Sequence, residues 1–181
     1  MKIGPILSAL AFVALAAGAG ADEASDRVRA QKLQADGNFK EAYAVFLQLV
    51  SEPRSAAGNV PDDLERGVDC LQRLGGQAQM DGFIEQAVKA HAKNWRLLEQ
   101  AALIVMNQFP HHGMMVGGEF QRGNHRGGVG GRWVQVAERD RVWALQLMQR
   151  ALPLVQAQRP VAETYGFYFT YASLVLGQRG G

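Results

Sequence analysis

Between Phe39 and Phe109 the large apolar residues return at steps of three and four, the rhythm that puts them on single faces of successive helices. Phe39, Ala42, Phe46 and Leu49 form one such stripe, ended by Pro53 and Gly58. Pro61 suits a first helical position, and Leu64, Val68 and Leu71 follow it until Gly75-Gly76 breaks the run. Asp81 is placed to cap a helix bearing Ile84, Val88 and His91. Asn94 is placed to cap another, where Trp95, Leu98, Ala102, Val105 and Phe109 step by three and four until Pro110. Upstream, Asp22 to Ala35 reads as a polar, Ala-containing helix stopped at Asp36-Gly37-Asn38. The fold class expected is mainly α: five to seven helices in antiparallel pairs.

The texture changes after Pro110. Positions 113–131 hold eight Gly in 19 residues, too many for a helix. Val129 to Val136 has room for a short strand, but the stretch 110–136 is read as one long Gly-rich loop. Helical rhythm resumes at Ala137, with Val142, Leu145, Met148, Leu152 and Val155 on one face and Trp143, Leu147, Ala151 and Leu154 widening it. Pro153 is expected to kink or end that helix. Val161 to Leu176 is nearly apolar all round. Its aromatic alternation fits a strand, but Val161, Tyr165, Tyr168, Ala172 and Val175 fit a helix, which is the preferred reading. Four residues, Phe46, Leu98, Val105 and Leu145, are expected in the core.

Residues 1–21 have the form of a signal peptide: Lys2, an apolar stretch from Ile3 to Ala17, and the small-x-small end Ala19-Gly20-Ala21. Cleavage there leaves a helical domain, 22–181, that is periplasmic or secreted, and no later segment is long and apolar enough to span a bilayer. The alternative is an uncleaved anchor helix. The single Cys excludes an internal disulfide framework and a Cys-based zinc site. A formal charge of +2 is too balanced to argue for nucleic acid. Residues 22–110 carry 10 basic and 13 acidic side chains, and 111–181 carry 8 and 4, a mild polarity.

Chemistry-bearing residues concentrate in the Gly-rich stretch. His111, His112, Glu119 and His125 have the ligand types of a zinc, copper or nickel site, at a spacing that matches no closed site. The competing reading is of histidines that hydrogen-bond the backbone of an irregular segment. Gly123-Asn124-His125-Arg126-Gly127-Gly128 lacks the ending of a phosphate-binding loop. Arg122, Arg126 and Arg132 can clamp carboxylates, although every basic residue after Lys93 is Arg, a compositional bias. Glu119, Phe120, Arg122, His125, Arg126 and Trp133 form the candidate set for partner binding or loop ordering. In that reading Phe120 and Trp133 are apolar anchors and Glu119 pairs with a nearby Arg. The chain carries no Gly-x-Ser-x-Gly elbow and no His-Glu-x-x-His motif, and Cys70 lies among acidic neighbours that disfavour a reactive thiolate. No catalytic residue, metal ligand or cofactor is assigned. The expectation is a non-catalytic module with a protein partner. The alternative is a small periplasmic metal-binding protein or hydrolase that uses the loop histidines.

Two resemblances sharpen this. Gly37-Asn38-Phe39-Lys40-Glu41-Ala42, with Phe46 and Leu49, resembles the turn and second helix of a tetratricopeptide repeat, although no second copy stands at a fixed period; the alternative is a generic antiparallel helix hairpin. The block from Phe109 to Gly128, followed by Arg132-Trp133-Val134 and Glu138 to Met148, resembles a region near the N-terminus of large exported bacterial proteins of the alpha-2-macroglobulin family. In that family a helical, repeat-like region precedes the β-sandwich domains of a protease trap. The resemblance implies an N-terminal helical piece. The family's thioester motif is absent, since Cys70 is followed by Leu71-Gln72-Arg73, so trapping activity is not implied.

Overall fold

The computed structural model describes residues 11–123, 131–158 and 164–177, with side chains from Asp22 onward. Seven α-helices are seen among these: α1 Ala11–Ala35, α2 Phe39–Ser51, α3 Val60–Arg73, α4 Met80–Ala90, α5 Trp95–Asn107, α6 Ala137–Gln156 and α7 Tyr165–Leu176. The expected helical stripes produce them. In α2 the inward residues are Ala42, Val45, Phe46, Leu49 and Val50. Asn94 caps α5 by accepting a hydrogen bond from the Leu97 amide. Gly37 makes the α1–α2 turn at φ +81°, a conformation glycine adopts without strain. Asp81 does not cap α4; Gln79 precedes it and Asp81 lies in its first turn, turned toward a basic partner described below.

The helices are stacked with a regular offset. Arg27 meets Asp63 and Gln34 meets Asp69, which joins α1 to α3 at separations of 36 and 35 residues. Gln100 meets Glu65 at 35 and Gln72 meets the Gln108 carbonyl at 36, which joins α3 to α5. Gln86 meets Ser51 at 35, which joins α2 to α4. Two layers therefore run side by side, α1-α3-α5 and α2-α4, close to the roughly 34-residue spacing of a tetratricopeptide array. Helix α7 joins the first layer, with Phe167 edge-on to Trp95 and Thr170 bonded to Glu99. Helix α6 packs extensively along α5. Gly67 lets α3 approach α4, since a side chain there would enter the Phe83 ring.

The core joins α2 to α7 through residues such as Leu64, Met80, Ile84, Leu98, Val105, Met148 and Phe167. Phe46, Leu98 and Val105 are fully buried as expected. Leu145 is only half-buried and Val142 is 51% exposed. The buried face of α6 is instead Asp140, Ala144, Leu147, Met148, Ala151 and Val155. Small residues at 144 and 151 allow α5 to come close, so the stripe of largest side chains is not the inward one. Pro153 does not end α6, which runs one turn further; it is itself exposed, near the helix end.

The described part of the Gly-rich stretch is not a loop. It folds into an antiparallel sheet of β1 His112–Val116, β2 Glu119–Arg122 and β3 Arg132–Gln135, in the order β2-β1-β3. Gly117 and Gly118, both at positive φ, form the two-residue turn between β1 and β2. The strand His112 to Val116 sits centrally, with Gly113 opposite both Arg122 and Val134. A side chain at 113 would strike the Gln121 carbonyl and the Phe120 ring.

Candidate functional site

The sheet is fastened to the helices by one arginine. Alternation along β2 turns Arg122 inward, where its side chain is 1% exposed. Its Nε donates to Asp81 Oδ1 on α4 at 2.6 Å. Its Nη1 donates to Asp140 Oδ2 on α6 and to the Pro110 carbonyl, both at 2.8 Å. Its Nη2 donates to Asp140 Oδ1 at 2.8 Å, completing a two-pronged pair with that carboxylate. The guanidinium lies over the Phe109 ring at 4.6 Å and near Phe120 at 5.5 Å. Arg139 closes the outer side, donating to Asp81 Oδ2 at 2.8 Å and covering Phe120 at 4.4 Å. Burial works against the Arg122 cation, but the bonded carboxylates of Asp140 and Asp81 outweigh it and hold its pKa above that of a free guanidinium.

His111 completes the cluster. Its Nδ1 lies 2.9 Å from Asp140 Oδ2 and its Nε2 3.1 Å from the Met106 carbonyl. Both ring nitrogens face acceptors, so His111 offers no free nitrogen to a substrate. Both oxygens of Asp140 are likewise taken. The arrangement resembles an Asp–His pair in connectivity, but the position a nucleophile would need is held by backbone.

The candidate residues divide accordingly. Arg122 and Phe120 meet in the cluster. Glu119 is exposed at the turn end of β2, and no ion pair among the described residues includes it; the carboxylates that meet Arg122 are those of Asp81 and Asp140. Trp133 is 50% exposed and stacks on His112 at 4.6 Å, so it is not a buried anchor. His125 and Arg126 lie outside the described residues. His111 and His112 diverge, one toward α6 and the other to the Trp133 face. Glu119 stands at the far end of the β1–β2 pairing. Among the described residues no three His, Cys, Asp or Glu side chains group to hold a metal ion.

Sequence reasoning missed Asp140 and Asp81. The available signal was Asp140 itself, a carboxylate in line with Ala144, Leu147, Met148 and Ala151 at helical steps, where a buried charge demands a partner. Cys70 is buried, and burial, with Asp69 adding to it, pushes its thiol up to about 11.

A second ion cluster holds α1. Arg27 donates from Nε and Nη2 to the fully buried Asp63 and from Nη2 to Glu23, which also accepts from the Ala56 amide. Among the described residues no helix is long and apolar enough to cross a membrane. Compared with protein-family models, curated proteins and solved structures, the chain matches none.

Proposed function

We propose that this chain is a non-catalytic, exported helical scaffold that binds another protein, of the kind that leads the large bacterial macroglobulins. The observation that carries the reading is the outer face of α7. Tyr165, Phe169 and Leu176 are 69%, 78% and 74% exposed, and Val175 is 51% exposed. A contiguous apolar face marks an interaction surface. The clustered polar chemistry is meanwhile spent on holding the sheet: Arg122, Asp140 and His111 are bonded to one another and to backbone. Export rests on the leader at 1–21, and the macroglobulin likeness rests on the block from Phe109 to Met148. The described residues of that block include the sheet and most of the helix to which Arg122 ties it.

The test places a photo-crosslinking amino acid at Val175 in cells making the full chain. A covalent adduct with protein is expected, lost when Phe169→Asp is added, with the mature N-terminus at Asp22. Absence of any adduct overturns the interaction reading. Stoichiometric zinc uptake by the purified protein, abolished by His112→Ala, would instead favour the metal-binding alternative.

A further inference from the structure

We propose that the occupant of the α7 face is a second copy of the chain, the two α7 helices pairing across a twofold axis. This rests on the interaction reading and names its partner. Helix α7 is firmly placed by its inner side. Phe167 is 1% exposed against Trp95 and Tyr171, and Leu174 packs on the same core. Thr170 bonds Glu99, and Arg141 donates to the Val175 carbonyl at 3.0 Å, fixing the C-terminal turn. With that side spent, Tyr165, Phe169, Ala172 and Leu176 recur outward at steps of four, three and four. That is the seam spacing of paired helices. Tyr168 and Val175 flank it, and Gly166 and Ser173 leave room for a close approach.

Charge selects the partner. No residue from Thr164 to Gly177 is ionisable to a charge at neutral pH, so α7 itself brings no like charges into a twofold pairing. A basic or acidic partner, or an anionic membrane, would find no charge on α7 itself to neutralise it, and the neighbouring Glu138 and Arg141 are of opposite sign. Size agrees. Taking about 200 Å² for an aromatic side chain, the exposed parts of the five large residues come to about 600 Å² per copy. Complete burial of all five in a pair removes at most about 1,200 Å², the lower bound of a stable interface. Beside the seam lies a groove of about 610 Å³ with Leu103, Met106, Phe169 and Leu174 on its apolar side and Glu138 and Arg141 on its polar side, room for a partner's ring.

Sedimentation equilibrium and light scattering on the full chain, from about 1 to about 100 µM, test this. The expected result is twice the chain mass at the upper concentrations. Phe169→Asp and, separately, Leu176→Lys should weaken the pairing at least about tenfold. Both side chains are largely exposed, so circular dichroism and melting midpoint should stay at the wild-type values. A monomer throughout the range, or a dimer that both substitutions leave intact, overturns the proposal. A monomer that still forms the Val175 adduct with a different protein overturns self-association and leaves the interaction reading standing. A monomer with no adduct removes both.

Discussion

Replacing Arg122 by Met isolates what the cation does, because the thioether chain keeps the stem's packing between Phe109 and Phe120 while removing the charge and its donors. Asp140 is then a fully buried carboxylate with His111 as its near partner and Arg139 only at 3.8 Å. Asp81 keeps Arg139 and some solvent, so most of the penalty falls on Asp140. Breaking a buried pair by removing one partner costs about 3–5 kcal/mol. For a domain of this size that lowers the melting midpoint by about 6–20 °C, at about 2–4 °C per kcal/mol. Urea unfolding followed by circular dichroism reads the global loss, and trypsin cleavage after Arg132 reads local release of the sheet. Arg122→Met with Asp140→Leu should recover much of the loss, since apolar replacement of both partners removes the stranded charge. A single variant within about 0.5 kcal/mol of wild type, with unchanged trypsin resistance, would refute the reasoning: Asp140 would have found compensation without Arg122.

Three further outcomes are expected. Burial holds the pKa of His91 below its ordinary value, so the native ring stays neutral while the unfolded chain takes up a proton near pH 6.5; stability falls as pH drops through that region and levels off below the native pKa. His91→Phe should flatten the melting profile between about pH 7 and 5, and parallel profiles would refute the assignment. Cys70, buried and pushed up to about 11, should resist a thiol reagent in the native protein and react promptly in urea; equal rates would contradict its burial. Gly113→Ala should cost about 1–3 kcal/mol or detach the sheet, because the added carbon meets Phe120 Cε2 at 2.6 Å and the Gln121 carbonyl; an unchanged urea midpoint would mean the strands part easily.

The helical half was legible because its signals are local. The α2 stripe, the Asn94 cap and the stops at Gly75 and Pro110 each act within a turn or two of chain. The sheet was not, because its inward face is built from residues that do not look inward. In β1 the buried position is Gly113, and in β2 it is Arg122, so the apolar alternation of a half-buried strand never appears. The informative pair was Gly117-Gly118, a hairpin turn hidden among other glycines. The site failed for a related reason: Phe120 and Arg122 were visible as odd residues in a Gly-rich stretch, but their partners stand 18 and 41 residues from Arg122, on helices. The final helix was read as a helix. Of the stripe that argued for it, Val161 lies outside the described residues and Tyr165, Tyr168, Ala172 and Val175 are the exposed side, while Phe167, Tyr171 and Leu174 do the packing.

The array's period stayed hidden because an insertion falls inside one of its units. Helices α5 and α6 pack as closely as any pair in the molecule, yet the chain between Asn107 and Ala137 is far longer than the turn joining α1 to α2. Closing a connection of about 30 residues instead of about four costs only about 2 kcal/mol in loop entropy, since the cost grows with the logarithm of length. An unstructured insertion would leave that cost standing. Here the described inserted residues form three strands and return Arg122 to two helices at once, to Asp81 on α4 and Asp140 on α6. The insertion thus carries its own attachment to the helices. The buried Asp140 is the mark of that arrangement, because a carboxylate at a core position of α6 is tolerable only where the sheet brings a cation to meet it.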